Sequence, residues 1–332
     1  MSVLNRWLSS NRWLRTGLIA AAATLAAPLV QAQAAWPDKP IHFVVPYPPG
    51  GGTDVIARIV QERFQQLLGQ PIVIDNRGGA AGSLGTDVVA KSAPDGYTVL
   101  FTLSSHTINP AIYAKLPFDT EKDFAPVGMV ASLPQILVAN PQFAPNTVAE
   151  LTALAKAKPG TISFGSVGNG SPGHLAGELY KLRTGTQLQH VPYRGGGPAM
   201  NDVLGGQIPL LWVSIPAAAQ FVKVGKVKAL AVSTLKRSAA FPNVPTMQEA
   251  GVADFNVDSW YAIFVPAKTP PAIVEKLNHA LNSIVQEPAI REKLLQQGAE
   301  GTGGTPQALG QTVTAEIARW AKLAKEANIH LD

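Results

Sequence analysis

Short apolar runs alternate with amphipathic stretches along most of the chain. Residues 41–46 (IHFVVP) form an apolar run of strand length. Residues 53–69 follow, with Ile56, Val60, Phe64 and Leu67 at three- and four-residue spacing; this predicts a helix with Thr53 as N-cap and Gly69 as its stop. The same alternation predicts strands at 71–76 and 95–104 around a helix at 84–92, with 77–83 and 105–113 as loops. It restarts after Pro134, with strands at 135–140, 161–166, 187–193 and 226–234 and helices at 147–160, 174–185 and 199–207. A short helix at 241–251, a strand at 257–266, a helix at 271–285 and a final helical pattern from Leu309 to Ile329 complete the series. Strand–helix alternation of this kind implies an α/β architecture with mostly parallel sheets. At 332 residues the chain exceeds the size at which single cores tend to divide, so two domains are expected.

The first 34 residues break the pattern. Arg6, Arg12 and Arg15 precede an apolar run at 16–30, and Ala32 and Ala34 supply the small-x-small pattern of a processing site. The run is shorter than the roughly 20 residues a membrane helix needs. A cleavable secretory signal peptide over 1–34 is expected, rather than a membrane anchor. Its loss removes three arginines and no acids, leaving +2 of the formal +5. The basic balance that would invite nucleic acid as a partner therefore belongs mostly to the leader. The absence of cysteine excludes disulfides, zinc–thiolate sites, cysteine nucleophiles and a lipid anchor at the cleavage site.

The chemistry lies in the glycines. Four glycine-rich turns, at 50–53, 78–83, 166–171 and 194–197, each follow a predicted strand. Turns that enter helices expose unpaired N–H groups at the positive end of the helix dipole, where carboxylates and phosphates bind. An internal echo, PYPPGGGTD at 46–54 and PYRGGGPAMND at 192–202, places two such turns in corresponding positions. Nucleotide motifs are missing: no turn carries G-x-x-x-x-G-K-[ST], and Gly165, Gly168 and Gly170 have the dinucleotide spacings reversed. Hydrolase motifs fail as well. Ser171 lacks the elbow glycine, because Asn169 stands there, and S-x-x-K at 233–236 has no S-D-N or K-T-G companion. His174 and Glu178 lie one helical turn apart without a second histidine, so no metal site is expected. Asp54 and Arg58 have the spacing of a local ion pair. Arg194 is a candidate fork for a carboxylate, with Arg77 a weaker one. Trp260 reads as a core residue before it reads as a ligand-stacking one.

The motif series WPDKPIHFVVPYPPGGGTDVIAR, NRGGAAGSLG, APDGYTVLF, SHTINPAIY, GSVGNGSPGHLAGELY, VPYRGGGPAMNDVLGGQ and WYAIFVPAKTP resembles the Bug family, the periplasmic substrate-binding proteins of tripartite tricarboxylate transporters. The resemblance spans the mature chain. It implies a type II periplasmic-binding-protein fold, with two α/β domains and a ligand cleft between them: residues 35–134 plus 256–332, and 135–255. It further implies a periplasmic, non-enzymatic, monomeric receptor without cofactor or metal, which delivers a small carboxylate to the transporter's membrane subunits. A sensor module for a two-component system and a secreted serine hydrolase are the alternatives. Ligand contacts implied on the first domain are Gly51, Gly52, Thr53, Asp54, Ser83, Ser105 and His106; on the second they are Ser166, Asn169, Ser171, Tyr193, Arg194 and Gly195. Many family members carry an acid close to position 213, whereas this chain has Trp212 and Val213. That departure argues against an ammonium-bearing ligand and favours an aromatic or partly apolar carboxylate.

Overall fold

Apolar β-branched runs bounded by glycine and proline form the strands of a mixed sheet, and amphipathic helices cover it. The computed structural model describes residues 36–326 and Ile329, so the expected leader lies outside the described residues. The strands are β1 (Ile41–Val45), β2 (Ile72–Asn76), β3 (Thr98–Leu103), β4 (Phe124–Ala139), β5 (Ser163–Ser166), β6 (Gln189–Pro192), β7 (Leu210–Ser214), β8 (Lys228–Val232), β9 (Asp258–Pro266) and β10 (Glu300–Gly303). The helices are α1 (Gly52–Leu68), α2 (Ser83–Ala90), α3 (Ser105–Ile112), α4 (Val148–Ala157), α5 (Pro172–Thr184), α6 (Gly196–Leu204), α7 (Ile215–Lys223), α8 (Pro271–Gln286), α9 (Pro288–Gln296) and α10 (Pro306–Glu326).

The strand order is β2-β1-β3-β9-β4-β7-β5-β6, with β8 and β10 also paired to β4. Parallel pairs β1/β2 and β1/β3 occupy one half of the sheet and β5/β6 and β5/β7 the other. Between them β4 and β9 run antiparallel to their neighbours, so the sheet is mixed and not mostly parallel as expected. The sixteen residues of β4 belong to both halves: 124–134 pair with β9, and 135–139 pair with β7 and β8.

Alternation along β4 and β7 divides the core of the second half into two faces, as period-two side chains must. Leu137 and Trp212 pack on one side with Phe164, Phe255 and Trp320; Ile136, Val138, Leu211 and Val213 pack on the other. In the first half Val44, Leu100, Trp260 and Phe264 form a third cluster. Helix α10 reaches both, with Leu309 and Val313 in the first-half cluster and Trp320 and Ala324 in the second. Trp260 is a core residue, and its indole N–H donates to Glu316 at 3.0 Å.

Two expected elements differ. Residues 105–112 form a helix and not a loop, because buried Ile108 and Ile112 outweigh the cost of Pro110 inside it. Residues 241–251 form turns and not a short helix: Pro242 and Pro245 interrupt the ladder, and Thr246 instead bridges to Val232. Helices α7 and α9, strands β7 and β10 and the first part of β4 had no counterpart in the sequence pattern.

Candidate functional site

The turns at the carboxyl ends of the strands converge, the position at which open α/β sheets hold ligands. The echo seen in the sequence is structural, for β1 leads through its glycines into α1 and β6 leads through its own into α6. Gly51, and not Thr53 as expected, is the N-cap of α1 and Gly195 that of α6, and neither start is capped by a side chain. The backbones approach closely enough to require glycine. At Gly195, with φ at 137°, a Cβ would lie 2.9 Å from Pro48 Cδ. A Cβ on Gly52 would collide with Ser214 Oγ and lie 2.5 Å from the hydroxyl of Tyr261, which itself hydrogen-bonds Ser214 Oγ at 3.2 Å.

Two neighbouring cavities share Tyr47 and Val167 in their walls. The larger, about 170 Å³, lies between the 79–82 turn and the 167–169 and 192–194 loops, with the rings of Tyr47, Tyr113 and Tyr193 in its lining. The smaller, about 20 Å³, reaches Gly51, Gly52 and Thr53 at the start of α1, together with Gln135, Val213 and Ser214. Neither wall contains an acidic residue, and Arg194 is the single cation. The side chain of Arg194 is exposed, and no carboxylate among the described residues pairs with it. A hollow of about 600 Å³ near Pro110 and Phe118 is roomier, but Asp119, Glu121 and Asp123 line it and make it unsuited to an anion.

Comparison with known proteins gives the family and the fold. Residues 56–329 match the family described as tripartite tricarboxylate transporter family receptor. Protein BugT of Bordetella pertussis is 39% identical over 317 residues, 95% of this chain and 97% of that protein. The chain belongs to the tripartite tricarboxylate transporter receptor family. Its fold is accordingly of the periplasmic-binding-protein type. An R. palustris protein solved with adipate superimposes with a TM-score of 0.87 at 36% identity, covering 89% of this chain and 99% of that one. MatC from Rhodopseudomonas palustris with bound malate gives 0.83 at 33% identity, covering 87% and 99%.

Within this tripartite tricarboxylate transporter receptor, the residues expected from sequence divide into those at the cavities and those behind them. Gly51, Gly52, Thr53, Asn169, Tyr193 and Arg194 line the cavities, whereas Gly195 lies against Pro48, outside both linings. Asp54 does not line either. Its burial alone would raise its pKa, yet hydrogen bonds from Arg58 Nε (2.9 Å), the Gly50 N–H (3.0 Å) and Asn76 (3.1 Å) hold the carboxyl below the usual carboxylate range. It therefore fastens the turn before α1. Ser83 accepts from Asn109 at 3.2 Å, and Ser105 shares a short hydrogen bond with the Tyr47 hydroxyl.

Ser166 and Ser171 are fully buried; the hydroxyl of Ser171 caps α5 by accepting the His174 N–H at 3.2 Å. His106 is 3% exposed and lies among Phe118, Phe124 and Phe264, with ring centroids 6.4, 5.0 and 4.6 Å away. Burial lowers its pKa to about 3, so the ring is neutral and sits outside the cavity linings. Tyr193 donates to Asp202 Oδ2 at 2.7 Å; burial first, and then that carboxylate, push its phenol up to about 12. Trp212 stacks on Phe255 (5.8 Å, 15°) and fills the core, while Val213 does reach the smaller cavity.

Sequence reasoning missed Tyr47, Tyr113, Gln135 and Ser214. The echo held the signal for Tyr47, which precedes its glycines as Tyr193 precedes its own. Gln135 and Ser214 face each other through β4/β7 register alone, which no local motif records.

Proposed function

We propose that this receptor captures a small carboxylate between two lobes, residues 35–134 plus 256–332 and residues 135–255, and presents it to the membrane subunits of a tripartite tricarboxylate transporter. The supporting observation is a cavity wall of uncapped helix starts, backbone N–H groups and one arginine, with no acid in it. Helix N-termini attract anions without a cation, and an arginine adds a two-pronged contact. Relatives solved with adipate and with malate carry ligands of this class. Three tyrosine rings in the wall favour a carboxylate with an apolar or flat body. Binding closes the lobes, and the membrane subunits recognise the closed form. The protein works as a periplasmic monomer after loss of its leader.

A hydrolase reading finds less support. Ser166 Oγ lies 2.7 Å from His190 Nε2, but Ser166 is fully buried and no carboxylate among the described residues hydrogen-bonds His190. Isothermal calorimetry with mono-, di- and tricarboxylates, aromatic ones included, tests the proposal. We expect binding by at least one class, and a loss of about tenfold to a hundredfold in affinity for Arg194→Ala, the range for a charge-assisted contact. No binding by any carboxylate would overturn the reading.

A further inference from the structure

The loop 166–171 supplies Val167, Gly168 and Asn169 to the cavity wall, and both of its ends are tied to a histidine that does not reach that wall. At one end His190 Nε2, on β6, lies 2.7 Å from Ser166 Oγ. That hydroxyl also meets the N–H and C=O of Gly168, at 3.2 and 3.0 Å, so it organises the first turn of the loop. At the other end the Gly170 N–H donates to His174 Nδ1, in the first turn of α5, at 3.2 Å. The two imidazoles stack on each other at 4.1 Å and 18°, and Phe164 stacks on the far side of His190 at 5.0 Å and 29°. Ring stacking alone would be served by any aromatic pair. The two nitrogen-specific bonds would not.

We propose that His174 and His190 are positioning residues for the ligand-facing loop, His174 through Nδ1 to the Gly170 N–H and His190 through Nε2 to Ser166. Both rings are held neutral. Burial, with the Lys181 charge behind it, lowers His174 to about 4; burial, then His174 and Lys181, lowers His190 to about 3. Nδ1 of His174 is thus free to accept a hydrogen bond at neutral pH, and two stacked rings do not repel each other as cations. Glu178 faces His174 Nε2 at 3.9 Å, which favours the proton on that nitrogen.

The proposal rests on the carboxylate-receptor reading, and two measurements separate them. One is calorimetric titration with malate and with adipate; the other is amide hydrogen exchange at 168–170 in the ligand-free protein. Asparagine sets its Oδ1 where Nδ1 stood, so His174→Asn keeps the acceptor; His174→Gln and His174→Phe do not. Glutamine likewise reproduces Nε2, so His190→Gln keeps the bond that His190→Phe loses.

We expect the variants that keep the hydrogen bond to bind within about twofold of the unaltered protein and those that lose it to lose about tenfold, with exchange at 168–170 faster by a similar factor. Where a phenylalanine variant does not fold, His174→Asn against His174→Gln gives the same comparison between two polar side chains. Equal affinity and equal exchange across both kinds of variant would overturn the positioning role. If the unaltered protein binds neither of these two acids, they are not its ligands, and the exchange measurement decides the role of the histidines by itself.

Discussion

His106 shows how far a residue's type can be from its use. A histidine after a strand and two serines reads as a ligand donor, yet its ring packs among three phenylalanines, and neither nitrogen has a hydrogen-bond partner. Such a group links stability to pH. Its folded value, about 3, lies below the ordinary value near 6.5, so below 6.5 the unfolded chain binds a proton that the folded chain refuses. Stability is therefore intact above pH 6.5 and falls as the pH drops toward 3, by up to about 1.4 kcal/mol per pH unit. Urea unfolding at pH 6.5 and 5 should show His106→Phe losing roughly 2 kcal/mol less than the unaltered protein. Parallel losses in the two proteins would show that His106 does not carry this linkage. Asp54 and Arg58 went the other way: their spacing announced an ion pair, and the 2.9 Å contact is there, because helical geometry is local. Whether a side chain faces the cavity or the core is set by the fold, and one residue type cannot announce it.

Among the elements, legibility follows the same line. Helix α1 is readable because its buried Ile56, Val60 and Phe64 repeat at the helical period and Gly69 ends it with φ at 73°. Helix α3 was not readable, because Pro110 argues locally for a break while Ile108 and Ile112 are rewarded only by partners distant in sequence. The first part of β4 was hidden likewise, since Pro126, Gly128 and Pro134 are weak strand formers and its register with β9 shifts twice. Helix α5 offers a sharper test. Ser171 was read as a ligand contact, but its hydroxyl is committed to the His174 N–H. Ser171→Ala should therefore cost about 1 kcal/mol of stability, the usual value of an N-cap, in chemical denaturation. A fall in affinity without that loss of stability would return Ser171 to the ligand.

At the scale of the molecule, the two halves are joined by more than the β4 and β9 strands. Helix α10, with 21 residues, is long enough at about 1.5 Å per residue to span roughly 30 Å, and its ends belong to different core clusters. Trp320, with no exposed surface, packs in the same cluster as Trp212 and Phe255. Trp320→Ala should destabilise the protein by about 3–5 kcal/mol in urea, as large-to-small changes in a core do. If α10 merely decorated the surface, the change would stay below about 0.5 kcal/mol. The α/β class and the binding-protein architecture were legible from the alternation and the motif series. The helix that straddles the halves was visible only as a periodic pattern, because nothing in a period says what it will lie upon.

That helix also sets a timetable. Strand β9, which completes the first half, lies more than 150 residues after β3, its neighbour in the sheet, and α10 comes later still. As the chain emerges from its N-terminus, β1, β2 and β3 must wait unfinished until nearly everything else has been made. Pairings this remote in sequence form slowly, since the loop must close before the contact rewards it. The last helix thus works as a clasp that is fitted late: the first half stays open until the final third of the chain has been made, and α10 then spans both cores.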